Sequence, residues 1–386
     1  MRINASLKIG VTGLVLAGAA ISAGGVAYAD YAPSAGDVVG VTGDTPQYAL
    51  SFLADGDFSG HAGFNSAGAY NRLVSFNATA DANARQAYIY NTPGRTSTAL
   101  LNPTDVLRAG EYPVQRVSSS GAAITALIND KAGNINYIGS SSLPTALQQS
   151  QAKTNLGTEL HAVQIGTDSV GIATATTTNA PAGLSPAQLL SIYTGAATTW
   201  NQVGGSSSAT IIPEIPPSSS AIYKTLIADL TTANGGVAPT LGSNVITVEQ
   251  NDPSTITGSS SPANTIVPFS QARLNLWNAG YFHNPATAYP GGATLPSGVK
   301  ILTGTASDSA AAYSSSVTDY VIFRQSDLAN TNSFEPGGTL NWANTLFSNP
   351  AGPTQPFVQT AAGQALIAAA GVTPNYQDLT LAQANG

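Results

Sequence analysis

Residues 184–205 read LSPAQLLSIYTGAATTWNQVGG, and after a three-serine spacer residues 209–230 read ATIIPEIPPSSSAIYKTLIADL. Ser185 followed by Pro186 predicts a helix start, with the serine as N-cap and the proline at the first helical position. Gly195 stops that helix, and Gly204-Gly205 make a turn. Ile211 and Ile212 begin a short buried strand, and Ser218, Ser219 and Ser220 open another helix. A strand that runs into small hydroxyl residues at a helix N-terminus is physical ground for holding an anion. The first backbone N–H groups there lack intrahelical partners and the helix dipole is positive. Such serines also serve simply as caps, so one corner decides nothing.

Three further corners have the same chemistry. Val38–Thr42 reads as a strand that turns through Gly43-Asp44-Thr45-Pro46 into a helix, with Thr45 as N-cap. A strand over Tyr112–Val117 meets Ser118-Ser119-Ser120-Gly121 and an apolar helix. A strand over Ile135–Ile138 ends at Gly139-Ser140-Ser141-Ser142. In an open α/β sheet these corners lie beyond the carboxyl ends of the strands, where ligands sit. Helix and strand alternate along the chain, which predicts mainly parallel sheets flanked by helices. His161–Ala173 and Val317–Arg324 read as long extended segments crossing between two lobes. Leu73–Phe76 and Ile246–Val248 are further strands, Gly363–Gly371 a C-terminal helix, and Pro290–Ser297 a loop.

The first thirty residues predict export. Arg2 and Lys8 precede an apolar run from Ile9 to Ile21, and Ala27-Tyr28-Ala29 supplies a cleavage site before Asp30. The run is too short to span a bilayer, so residues 1–29 are expected to be removed and no membrane insertion is expected. The chain of 386 residues has no cysteine, hence neither disulfides nor a lipid-bearing thiol. Charged residues are 9% of the chain and the net charge is −7. That balance argues against nucleic acid or an anionic membrane as partner, both of which need clustered Lys and Arg. A small anion is held by local dipoles and is not excluded.

Catalytic and metal motifs do not emerge. No G-x-S-x-G elbow accompanies His61, His161 or His283, which read as surface or turn residues. No closely spaced His/Asp/Glu set suggests a metal, and Asp55 with Asp57 reads as a turn. No cofactor is expected.

The order SP-x-QL-x-x-IY-x-G, then W-x-x-VGG, then strand and serine-rich turn, resembles the second lobe of phosphate-type solute-binding proteins of ABC transporters, in the periplasmic-binding-protein superfamily. VSSSGAAITALI, VEQNDPSTI, TIVPFSQARLNLWNAGY and DYVIFRQSDL resemble a secreted actinobacterial subgroup of it. The resemblance implies a two-lobe α/β fold (type II), each lobe a mainly parallel sheet joined to the other by hinge strands. Lobe 1 would comprise residues 30–162 and 315–386, and lobe 2 residues 163–314. It implies a non-catalytic protein that captures phosphate or a related oxyanion between the lobes and delivers it to an ABC permease.

By position the resemblance places Thr45, Ser119, Ser120 and Gly121 on the ligand from the first lobe. Ser141 stands where the family has an aspartate. Ser219 and Ser220 serve from the second lobe, with Tyr223 where the family has an arginine. A buried dianion without its arginine loses charge-assisted hydrogen bonds of about 1.5–3 kcal/mol each. A second reading follows from those two departures and the missing anchor: a surface or matrix protein that retains the fold, has lost its ligand and acts by self-association or adhesion.

Overall fold

Apolar residues on successive positions of a strand face opposite sides of a sheet, so a strand without polar alternation must be buried on both faces. Val38 and Val39, Tyr137 and Ile138, Val321 and Ile322 are such pairs, each residue at most 2% exposed. The structure, a computed structural model, describes residues 32–57, 59–67, 71–78, 104–279, 281, 298–329, 341–350 and 352–379. The leader (1–29), His283 and the Pro290–Ser297 segment lie outside the described residues.

The strands are β1 (Val38–Thr42), β2 (Leu73–Phe76), β3 (Thr104–Asp105), β4 (Val114–Gln115), β5 (Tyr137–Ser140) and β6 (Leu160–Ala175). They continue as β7 (Ile212–Ile215), β8 (Ile246–Thr247), β9 (Thr265–Ser270), β10 (Val299–Ile301), β11 (Ser314–Arg324) and β12 (Thr373–Asp378). Ten of them form one sheet in the order β2-β1-β5-β11-β6-β9-β7-β8, with β10 and β12 also on β6. The β1, β2 and β5 strands are mutually parallel, as are β7, β8 and β9. Between the two sets run β6 and β11, paired antiparallel from Ser314 opposite Gly171 to Arg324 opposite Leu160.

Four buried clusters show how the strands are used. Val38, Tyr137, Val163, Ile165 and Phe323 share a core with Phe52 of the Gln47–Asp55 helix and Leu366 of the Ala361–Ala369 helix. On the opposite face Val39, Ile138, Leu160 and Ile322 pack on Ile124 and Leu127 of the Ser120–Asn129 helix. Further along β6, Val170 and Ile172 belong to a third core with Leu189, Trp200, Ile222, Leu226 and Leu230. Ala173 and Ala175 belong to a fourth with Val267 and Phe269. Two cores flank one half of the sheet and two flank the other, giving a two-lobe α/β fold in which β6 and β11 run through both halves. Ala272, Leu276 and Trp277, which follow β9, pack in the first of these cores.

The serine–proline start read from the sequence is a capping box. Ser185 Oγ accepts from Gln188 N, and the Gln188 side chain returns to the Ser185 N–H. The W-x-x-VGG turn has a steric reason for both glycines. Gly204 has φ 86°, and a Cβ on Gly205 would lie 2.9 Å from Trp200 Cβ. Trp200 is fully buried and donates from Nε1 to Asn264 Oδ1 at 2.9 Å.

Some local expectations are corrected. Thr45 does not cap the first helix; Pro46 occupies the N-cap and no side chain caps it. The Tyr112–Val117 strand shrinks to β4, since Tyr112 and Val114 are exposed and find no core to bury them. The Ala146–Leu156 helix and β12 had no strong signal in the sequence. The helix buries only Gln149 and Ala152, and β12 alternates exposed and half-buried residues.

Replacing Gly204 by alanine should cost about 1–2 kcal/mol for the left-handed backbone alone, and its Cβ would also meet Ser307 Oγ at 2.0 Å. Urea unfolding of that variant measures the loss; an unchanged midpoint would contradict this reading of the turn.

Candidate functional site: hydroxyl corners around buried carboxylates

The strand register decides where the corners point. β5 ends with Ser140 opposite Tyr320, which in turn faces Gln164 of β6. β9 runs the other way and ends with Ser270 opposite Val170. The carboxyl ends of the two parallel sets therefore aim at one stretch of β6, residues 165–169, from opposite sides. At about 3.3 Å per residue the stretch is roughly 15–20 Å long. A register shift between Asp319 and Tyr320 marks it, and such bulges re-aim side chains.

Three of the four corners meet on one side. A Cβ on Gly43 would lie 2.9 Å from both the backbone N and Oγ of Ser120, so the first corner touches the second. Ser120 Oγ accepts the N–H of Ser141 at 2.8 Å, which joins the second to the third. Ser119 is the N-cap of the Ser120–Asn129 helix and accepts from Ala122 N, and Gly121 lies in the first turn. Thr45 and Ser141 are half-buried. The fourth corner follows β7. Ser220 is buried and caps the Ala221–Ala233 helix by accepting from Ile222 N and Tyr223 N. Ser219 is exposed, and Tyr223 is half-buried against the Trp200 core. The hydrogen bonds of Ser220 stay within its own helix start, and among the described residues none joins this corner to the other three.

The floor between the two sets is acidic, which sequence reasoning missed. Asp168 of β6 is 1% exposed; its Oδ2 accepts from Ser270 Oγ at 2.5 Å and its Oδ1 from Ala272 N at 3.1 Å. Asp319 of β11 is fully buried and accepts from Ser141 Oγ at 3.2 Å. Its second oxygen has no hydrogen-bond partner among the described residues. Burial pushes the Asp168 carboxyl up to about 6. Burial, with the neighbouring Asp168 and Asp44 charges, holds Asp319 well above the carboxylate range. Glu214 of β7, 4% exposed, is pushed up to about 7 by burial.

Above the floor lies Asp44, also buried. Its Oδ1 accepts from Gln47 Nε2 at 2.7 Å and from Arg273 Nη2 at 3.1 Å, and its Oδ2 from Asn251 Nδ2 at 2.7 Å. Arg273 is 3% exposed, with its guanidinium 4.4 Å above the Tyr48 ring. The GDTP turn was visible in the sequence as a turn, but nothing local says that its Asp44 meets Asn251 across 207 residues.

His161 is corrected from a surface residue to a buried one. It lies on β6, 6% exposed, between Gln325 Oε1 at 2.8 Å and Asp378 Oδ1 at 2.6 Å. Ser348 completes a Ser/His/Asp set, but its hydroxyl donates to Asp378 Oδ2 at 2.5 Å and lies 3.4 Å from the imidazole. A serine nucleophile needs its proton on the histidine. The set instead ties β12 and the segment after the Trp342–Leu346 helix to β6. Among the described residues no group of three or more His, Asp or Glu could hold a metal, and no helix is long and apolar enough to cross a membrane.

A family model described as a PBP superfamily domain matches residues 108–349. The chain belongs to the periplasmic-binding-protein (PBP) superfamily. No curated protein matches the sequence. Among solved structures it is similar to a protein of Clostridium perfringens described as a phosphate ABC-transporter substrate-binding protein with bound phosphate. The identity is 13% and the TM-score 0.49, over 88% of this chain and 100% of that one. An ABC-type phosphate transport receptor from Vibrio cholerae gives 14% and 0.44, over 88% and 100%. A phosphate-binding protein from Stenotrophomonas maltophilia gives 15% and 0.46, over 90% and 92%. Family membership rests on the match over 108–349.

The buried acids set a pH dependence. Asp168 and Glu214 keep their protons in the folded chain up to about pH 6 and 7, against ordinary values of 3.8 and 4.5. Their contribution to stability is complete below the ordinary values and is lost as pH rises through the folded ones. An Asp168→Asn/Glu214→Gln variant should therefore gain stability relative to the natural chain as pH rises from about 4 to about 7. Parallel urea midpoints across that window would show that the two acids are not held protonated.

Proposed function

We propose that this chain is a secreted, non-catalytic binding protein that captures a small oxyanion, phosphate first among the candidates, between the two halves of its sheet. The observation that best supports this is the convergence of the Gly43–Thr45, Ser119–Gly121 and Ser140–Ser142 corners on one side of β6 and β11. Thr45, Ser119, Ser120, Gly121 and Ser141 would face the anion from that side, and Ser219, Ser220 and Tyr223 from the other. Each half would add the positive end of a helix, Ser120–Asn129 and Ala221–Ala233 respectively. The serine caps keep their hydroxyl protons for this purpose, because a cap uses only the oxygen. Asp319, which keeps its proton on burial, would offer the hydroxyl of its second oxygen to an oxyanion as a donor.

Delivery to an ABC permease and export through the 1–29 leader, cleaved near Ala29 and without a lipid anchor, complete the reading. The lobes would be residues 30–162 with 315–386, and 163–314. Catalysis is disfavoured by the bond order of the Ser348/His161/Asp378 set.

Titration calorimetry of the mature chain with phosphate, sulfate and molybdate tests the proposal. Saturable binding of phosphate is expected, and heats no larger than dilution for all three anions would sink it. A Ser119→Gly/Ser220→Gly variant isolates the site, because glycine at an N-cap costs only a few tenths of a kcal/mol. Losing two hydrogen bonds to a charged ligand, about 1.5–3 kcal/mol each, should weaken binding by roughly a hundredfold or more. A folded variant with unchanged affinity would place the site elsewhere.

A further inference from the structure

We infer that Asp44 is a built-in carboxylate that latches the two halves of the protein together across the cleft, using only groups of the chain itself. Asp44 stands at the corner after β1, in the half whose cores contain Val38, Tyr48 and Phe52. Asn251 stands beyond β8, in the opposite half. The bond from Asn251 Nδ2 to Asp44 Oδ2, at 2.7 Å between buried groups, crosses from one half to the other. Asn251 is itself held in place. It adopts φ 55°, a conformation that asparagine tolerates better than most residues, and its Oδ1 accepts the N–H of Ser270 at 2.9 Å.

The other oxygen of Asp44 is fixed by Gln47 and Arg273. Arg273 also reaches the Asp44 carbonyl oxygen at 3.3 Å. Asp44 thus presents to Asn251 and Arg273 what an incoming oxyanion would present, a pair of oxygens with a negative charge. The free space beside it, lined by Thr45, Tyr48, Asn251, Ser270 and Arg273 among others, is about 10 Å³, room for at most one water. An oxyanion enters along this seam only when the halves part. Asp44 therefore sets the resting position of the cleft and competes with the ligand's role in closing it. The oxyanion part of this statement rests on the function proposed above; the latch does not.

The test separates the two. The radius of gyration of the natural protein, Asn251→Gly and Asn251→Asp is measured by small-angle X-ray scattering, with and without inorganic phosphate. Glycine keeps the positive φ while removing the side chain. Aspartate keeps its shape and sets a carboxylate against Asp44, so it opens the halves by repulsion even if glycine leaves them in contact. Expected is a natural protein whose radius does not change with phosphate, and variants that are larger and keep their circular dichroism. Repulsion in Asn251→Asp should fade with added salt.

Variants as compact as the natural protein overturn the latch, whether or not they bind phosphate. Natural protein that is expanded and contracts on phosphate overturns it as well. Expanded variants that ignore phosphate uphold the latch and count against the oxyanion reading alone.

Discussion

The pairing of β6 with β11 is the constraint on which the rest of the structure depends. Two sets of parallel strands approach it from opposite ends, and each set stops where its carboxyl end reaches the middle of the pair. A side chain on β6 or β11 therefore faces one half near its ends and the cleft near its centre. Val163 and Ile165 pack in one core, Val170 and Ile172 in another, and Asp168 lies in the stretch between them. Burying a carboxylate there is costly. The cost is reduced by Ser270, the Ala272 N–H and Ser141, and by retention of protons on Asp168 and Asp319.

In a chain with 9% charged residues, several buried ones lie together at this seam, while Asp37 and Asp105 are buried elsewhere. Asp44, Asp168, Asp252, Asp319 and Arg273 are all 9% exposed or less. Charges in an interior need partners with fixed geometry, so they specify how the halves sit more sharply than apolar contact does. Apolar surfaces slide; the Asn251–Asp44 bond does not without being broken. The same seam thus gives the cleft both its electrostatic character and its registration.

The serine corners have two roles that do not conflict. Ser119 and Ser220 accept backbone N–H groups of their own helices, which uses oxygen lone pairs and leaves the hydroxyl hydrogen to donate outward. Ser120 joins a neighbouring corner instead, so part of the hydroxyl chemistry assembles the site.

Much of the fold was legible in the sequence because its signals are local. Ser185-Pro186 announces a helix start through capping, Gly204 and Gly205 announce a turn through backbone sterics, and the long stretches His161–Ala173 and Val317–Arg324 announce extended segments that cross between the halves. The serine corners were legible for the same reason. Their convergence depends on strand order and register, which only the folded sheet decides. Asp44, Asn251 and Arg273 look like ordinary turn and helix residues along the chain. They become a buried anion, its crossing partner and its counter-charge only because tertiary structure brings positions more than 200 residues apart within hydrogen-bonding distance. The sequence by itself determined which corners can cap and donate. The tertiary structure decided which of them face one another, because direction across a sheet is a property of strand pairing and not of any one segment.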